Sequence, residues 1–170
     1  MDLAPLIRDI PDFPVKGVLF KDVTTLLKDA DAFREAVDAL AAPYRGQQVD
    51  VVAAIESRGF IFAAPVAYLL GSAFVPIRKP GKLPAESISV EYTLEYGSNT
   101  LEIHRDAIAP GQRVLLIDDL LATGGSAKAA VQLIERLGGQ IVGVGFLITL
   151  TALKGVDNLP GYQVYSLIDF

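Results

Sequence analysis

The run Val114-Leu115-Leu116-Ile117-Asp118-Asp119-Leu120-Leu121-Ala122-Thr123-Gly124-Gly125-Ser126 decides how the rest of the chain is read. Arg113–Ile117 predicts a buried strand, which two adjacent carboxylates close. A short loop then delivers Thr-Gly-Gly-Ser to a helix expected over about 125–137, with Ala127, Ala130, Val131, Ile134 and Leu137 on one face. Gly138-Gly139 stops that helix. Small residues let a ligand approach the backbone, and the unpaired N–H groups of a first helical turn carry the positive end of its dipole. Such a turn cradles phosphate, and Thr123 and Ser126 add hydroxyl donors. Asp118 and Asp119 are acceptors, suited to sugar hydroxyls or Mg²⁺. Thr-Gly-Gly-Ser alone would read equally as a capped helix start; the paired acids turn the reading toward a phosphorylated pentose. No Gly-Lys-Ser/Thr follows, so the turn is not a P-loop.

Working outward, the same alternation recurs. Val49–Ile55 is apolar except for Asp50, as in a parallel strand covered on both faces. Glu56-Ser57-Arg58-Gly59 is the equivalent turn, where Arg58 and backbone donors suit an anion; a surface salt bridge is the plainer alternative. Phe60–Leu70 predicts a buried helix, Ala73–Ile77 a strand, Ile141–Thr149 a long strand and Val164–Ile168 an edge strand. Upstream, Asp29 or Asp31 caps a helix to about Ala42, carrying Phe33, Val37, Leu40 and Ala41. Residues 1–27, with Pro5, Pro11, Pro14 and Gly17, predict an irregular arm with one short helix. Arg78–Glu86 is a Pro/Gly-rich loop whose Arg78, Lys79 and Lys82 suit a lid over an anionic substrate. Ile88, Val90, Tyr92, Leu94 and Tyr96 then alternate with polar residues, Gly97-Ser98-Asn99 predicts a turn, and Leu101 and Ile103 resume the pattern as a hairpin. The expected fold is α/β: an open, mainly parallel sheet flanked by helices, with an inserted antiparallel hairpin and an N-terminal arm, all one domain over residues 1–170.

Composition narrows the function. A net charge of −5 argues against a nucleic-acid binder, whose affinity rests on clustered cations. The absence of Cys removes thiolate chemistry and fits the cytoplasm, and His104, the one histidine, removes any two-imidazole site. Residues 1–13 have the charges and lack the apolar core of a secretory signal. The uncharged stretch Gly59–Ile77 is long enough for a membrane span, but Pro65, Gly71, Ser72 and Pro76 break it into a helix and a strand, so no membrane is expected.

VLLIDDLLATGGS resembles the phosphoribosyl-diphosphate signature of type I phosphoribosyltransferases, and its Leu-Leu-Ala-Thr-Gly-Gly form resembles their adenine-specific branch. IPDFPVKGVLFKDVTTLL (Ile10–Leu27), AAIESRGFIF (Ala53–Phe62), RKPGKLPAESISVEYTLEYG (Arg78–Gly97) and LEIHRDAIAPGQRV (Leu101–Val114) are similar to that branch as well. The resemblance implies an enzyme converting adenine and phosphoribosyl diphosphate to AMP and diphosphate with Mg²⁺, working as a homodimer. It implies that Ala122, Thr123, Gly124, Gly125 and Ser126 bind the 5′-phosphate, and that Asp118 and Asp119 meet the ribose hydroxyls directly or through metal. Ser57 and Arg58 would hold the diphosphate at a turn containing a non-proline cis peptide, with Lys79 and Lys82 on the closing loop (78–97 with its hairpin). Phe20, Lys21 and Leu121 would contact adenine, making residues 1–27 the base-binding arm; the family often has Arg at the position of Lys21. Glu95 matches the family's acid/base carboxylate, although its place on the polar face of an alternating strand equally suits a solvated group. Members for 6-oxopurines carry Asp where Ala122 stands, which argues against hypoxanthine and guanine. A xanthine-type enzyme and a non-catalytic nucleotide-sensing regulator on the same fold are the rival readings; the chain shows no basic face for the latter.

Overall fold

The computed structural model describes residues 1–94 and 97–170. Its centre is a five-stranded parallel sheet in the order β4-β3-β7-β8-β9. The strands are β3 (Val51–Ile55), β4 (Ala73–Ile77), β7 (Arg113–Leu121), β8 (Gln140–Thr149) and β9 (Val164–Asp169). All five residues of β3 are buried, as a sheet covered on both faces requires. Successive residues of β7 feed opposite cores: Leu115 and Ile117 pack with α1 (Thr24–Leu27), α2 (Ala30–Ala41) and α3 (Arg58–Leu70), whereas Val114 and Leu116 pack with α4 (Gly125–Arg136). Asp29 caps α2 by accepting from Asp31 N and Ala32 N. Gly139 N donates to Ile134 O and Gly138 N to Glu135 O, closing α4 as a Schellman motif.

The chain leaves β3 toward β4 on one side, through α3, and leaves β7 toward β8 and β9 on the other, through α4. The point between β3 and β7 is therefore where the winding direction reverses, and a crevice opens there beyond the carboxyl ends of the strands. Both α3 and α4 begin at that crevice, so two helix N-termini converge on it.

Three expectations need correction. The arm is not irregular: β1 (Arg8–Pro11) and β2 (Leu19–Asp22) form an antiparallel hairpin. Two cross-strand ion pairs, Arg8–Asp22 at 2.5 Å and Lys21–Asp9 at 2.6 Å, hold strands that the prolines had hidden. β7 does not stop before its acids, because β8 runs on beside it and pairs Asp118 with Phe146, Leu120 with Ile148 and Leu121 with Thr149. In the hairpin of β5 (Ser87–Leu94) and β6 (Gly97–His104), Gly97, Ser98 and Asn99 are paired strand residues opposite Leu94, Thr93 and Tyr92, rather than the turn. The hairpin lies over α4, with Val90, Leu101 and Ile103 buried there.

Candidate active site

The crevice is a cleft of ≈420 Å³ lined from β3 by Glu56, Ser57 and Arg58, from β7 and its loop by Asp118–Gly124 and Ser126, from the hairpin by Tyr92 and Asn99, and by Lys79. Asp118 and Asp119 are adjacent at the end of β7, and both carboxylates sit against the start of α3, beside Gly59 and Arg58 respectively. Asp118 is buried, and its Oδ1 accepts from the N–H of Asp119 at 2.9 Å. A Cβ on Gly59 would lie 2.8 Å from that Oδ1, so the first turn of α3 leaves room for the carboxylate by having no side chain. Burial, and then the charge of Asp119, pushes the Asp118 carboxyl well above the ordinary carboxylate range.

Asp119 accepts from Arg58 Nε at 2.6 Å. This pair spans the reversal point, tying the turn after β3 to the end of β7. Burial pulls the Arg58 pKa down, but the charge of Asp119 and the hydrogen bond to it outweigh that and raise it. The Arg58 side chain keeps half of its surface open to solvent, and its Cζ lies 5.5 Å from the centroid of the Phe20 ring. The Glu56–Ser57 peptide is cis.

The loop from Ala122 to Gly125 is held by packing rather than by side-chain caps. Gly124, at φ +86°, has its Cα against the Gly155 carbonyl oxygen, and a Cβ there would collide with that oxygen. Asn158 Nδ2 donates to Thr123 O at 2.6 Å. The Tyr92 ring rests on Gly125, whose Cβ would be 3.4 Å from Cδ2. No side chain caps α4, so its first N–H groups are free for an anion.

Glu56 accepts from the backbone N–H of Lys79 at 2.6 Å and lies 3.4 Å from Arg78 Nε. Burial pushes the Glu56 carboxyl up, but the Lys79 N–H, Arg78 and Lys82 together bring it below the usual range. Lys82 is exposed on the loop and does not line the cleft. Phe20 reaches the site through Arg58, whereas the Lys21 ammonium is turned to Asp9 and to the Phe170 ring. Glu95 lies outside the described residues. Sequence reasoning missed Tyr92, Asn158 and Gly155; Tyr92 had a signal in the hairpin's apolar alternation, whereas nothing near Gly155 and Asn158 ties them to a loop more than thirty residues upstream. Among the described residues, no three His, Cys, Asp or Glu side chains gather to hold a metal.

The phosphoribosyl transferase domain family matches residues 23–168. An adenine phosphoribosyltransferase of Chloroflexus aurantiacus is 60% identical over 169 residues, covering 99% of this chain and 98% of that one. The chain belongs to the adenine phosphoribosyltransferase family. A solved adenine phosphoribosyltransferase from Thermoanaerobacter pseudethanolicus superposes with a TM-score of 0.96 at 55% identity, covering 99% of this chain and 98% of that chain. The Saccharomyces cerevisiae enzyme, solved with D-2,5-dideoxy-2,5-imino-altritol 1,6-bisphosphate and adenine, superposes at 0.91 with 38% identity, covering 96% and 95%. The expected fold, an open parallel sheet flanked by helices with an inserted hairpin, is the fold of this family.

Proposed function

We propose that this enzyme joins adenine to the ribose 5-phosphate of phosphoribosyl diphosphate, releasing AMP and diphosphate, at the crevice between β3 and β7. The observation that carries the site assignment is the crossing of two features at one place: uncapped N–H groups of α4 beside a pair of carboxylates, one of which an arginine from the neighbouring turn holds. A ligand that is anionic at one end and rich in hydroxyls at the other fits both. The yeast relative holds adenine, and the Chloroflexus aurantiacus and Thermoanaerobacter pseudethanolicus relatives are adenine phosphoribosyltransferases too.

In this reading the backbone from Ala122 to Ser126, with the Thr123 and Ser126 hydroxyls, grips the 5′-phosphate. Asp118 and Asp119 orient the ribose hydroxyls and so fix C1′. Ser57, Arg58 and Lys79 face the diphosphate, with Lys82 arriving when the loop closes. As the C1′–oxygen bond breaks, its electron pair leaves with diphosphate, and the fixed cations oppose the charge growing there. N9 of adenine supplies the pair for the new bond and loses its proton, a transfer the family resemblance assigns to Glu95. Phe20 and Leu121 flank the base on the arm side, and residues 78–97 exclude water that would otherwise capture the sugar. Asp118 and Asp119 are the oxygen donors that would hold a Mg²⁺ here, few enough among the described residues to suit an ion bound together with its substrate. When bound, Mg²⁺ would neutralise diphosphate charge.

The chain acts as one domain, with 1–27 as the base-binding arm, and works in the cytoplasm as a homodimer. No helix is long and apolar enough to cross a membrane among the described residues. The dimer reading rests on α3, whose Ile61, Tyr68 and Leu69 are exposed beside a groove containing Phe33, Val37 and Pro65. Arg34 and Asp38 line that groove, one side chain of each sign on a face that a two-fold axis would set against its own copy. Sedimentation is expected to give a dimer that Tyr68→Glu dissociates; a monomeric wild type overturns the assignment.

Incubation with phosphoribosyl diphosphate and Mg²⁺ tests the reaction, with adenine, xanthine and hypoxanthine offered in parallel. AMP and diphosphate in equal amounts, with adenine only, is the expected result. Turnover confined to xanthine would overturn the substrate assignment.

A further inference from the structure

We infer that Phe170 and Lys21 form a clamp that sets the angle of the arm, so that Lys21 serves base recognition by positioning Phe20 rather than by touching the base. The inference rests on the arm being the adenine site, as proposed above. Phe20 and Lys21 are consecutive on β2 and so face opposite ways. Phe20 looks inward, edge-on to Phe13 at 5.1 Å and toward Arg58. Lys21 looks outward, yet only 10% of its side chain is exposed. A lysine is rarely covered so far without partners. Its Nζ lies 2.6 Å from Asp9 Oδ1 and 3.8 Å from the centroid of the Phe170 ring, a cation–π arrangement.

Phe170 is itself held by the sheet. Its N–H donates to Thr149 O at 2.9 Å, and its carbonyl oxygen accepts from Thr151 N–H at 2.9 Å and Thr151 Oγ1 at 2.8 Å. The Phe170 backbone is thus fixed at the carboxyl end of β8, the strand beside β7, which sets where the ring meets Lys21. A two-stranded hairpin is marginal by itself, and residues 11–19 are exposed throughout. The angle at which β2 meets the sheet therefore depends on contacts such as this one. Any tilt released by losing it moves Phe20, the next residue, away from Arg58. The effect falls on the base side of the cleft and leaves the cradle between Asp118 and Ser126 untouched.

Steady-state kinetics on Phe170→Leu, Lys21→Gln and the double variant test the clamp, with Phe170→Trp as the conservative control. Each single variant is expected to raise KM for adenine about three- to tenfold, with KM for phosphoribosyl diphosphate unchanged. The double variant should be no worse than Lys21→Gln alone, because that substitution already removes the contact with Phe170. Phe170→Trp, which keeps an aromatic face, should restore wild-type values. If both KM values rise together, or the two single effects multiply in the double variant, the clamp is wrong. Lys21→Gln leaves the backbone anchor of Phe170 intact and carries the same prediction should Phe170→Leu fail to fold. The wild type is run beside them, so absence of adenine turnover there would overturn the substrate reading instead.

Discussion

The turn from Asp118 to Ser126 and the loop from Arg78 to Glu86 border the same cleft, and different forces hold them. The turn is built by exclusion: Gly59 makes room for Asp118, Gly124 lies on Gly155, and Gly125 lies under Tyr92. Its backbone cannot move without displacing a neighbouring backbone. Between its ends, where Arg78 bridges Glu102 and Glu86 O accepts from Arg105 N–H, the loop is held by single polar contacts to its main chain. Glu56 accepts from Lys79 N, Glu102 Oε1 from Gly81 N at 3.0 Å, and His104 Nε2 from Ala85 N at 3.3 Å. Each such bond contributes only about 1 kcal/mol net, so the loop can be released one contact at a time. A phosphate cradle gains from being preformed, since reordering it at each turnover would cost binding energy. A cover over the reacting atoms must open to admit substrate and release product. The difference in construction matches that difference in duty.

The largest expected effect breaks the rigid side. Gly124→Ala forces a side chain into the left-handed region, costing about 1–2 kcal/mol, and drives its methyl into the Gly155 carbonyl oxygen. The turn and the segment at Gly155–Asn158 must separate. We expect kcat/KM for phosphoribosyl diphosphate to fall at least a hundredfold, and the Tm to drop by about 8 °C. A variant with normal kinetics would show that the cradle is not preformed.

Asp118→Asn divides stability from function on the same rigid side. The Asp118 carboxyl titrates above its ordinary 3.8 in the fold, because burial and the charge of Asp119 oppose its ionisation. Its contribution to stability is therefore complete below that value and is lost as pH rises through the folded pKa. Asparagine can still accept from the Asp119 N–H without carrying charge. The variant should melt about 3 °C higher than wild type at pH 8, and the gain should shrink as the pH is lowered. Turnover should fall about a hundredfold or more, since the acceptor for the ribose is weakened. A variant less stable than wild type at pH 8 would mean that Asp118 is stabilised by its charge.

How much of this was legible in the sequence follows the same division. VVAAI in β3 and the apolar stretch of β8 announce themselves, because a strand covered on both faces must be apolar at every position. The acids of β7 hid the last part of that strand, since ladder pairing belongs to the backbone and tolerates any side chain. The chemistry of the cradle was readable from Asp118 to Ser126 because one strand–turn–helix supplies it whole. Its packing was not, because Gly155 and Asn158 arrive from a turn after β8 and have no local pattern to mark them. The β1–β2 hairpin escaped for a similar reason. Pro11 ends β1 and Pro14 follows, whereas the pairing energy comes from Asp9, Asp22, Arg8 and Lys21, which read singly as solvated charges.

The smallest expected effect probes the loop side through Glu56→Gln. The carboxylate does two things: it fixes the Lys79 N–H, and it offsets Arg78 and Lys82 at the edge of a site for anions. Glutamine retains an acceptor for the N–H, so the loop base should stay in place and the Tm should change by less than about 2 °C. The negative charge is lost, however, and the nearby cations are left for the diphosphate. Removing a like charge from the rim of an anion site is worth about 1 kcal/mol, or roughly fivefold in affinity. Diphosphate should therefore inhibit the variant about fivefold more tightly, and kcat should fall about threefold as product leaves more slowly. Gly124→Ala should weaken the same ligand's precursor at its other end, so the two variants pull binding in opposite directions from the two sides of one cleft. If Glu56→Gln instead weakened diphosphate, the carboxylate would be holding the loop by its charge, and the loop would be as preformed as the cradle.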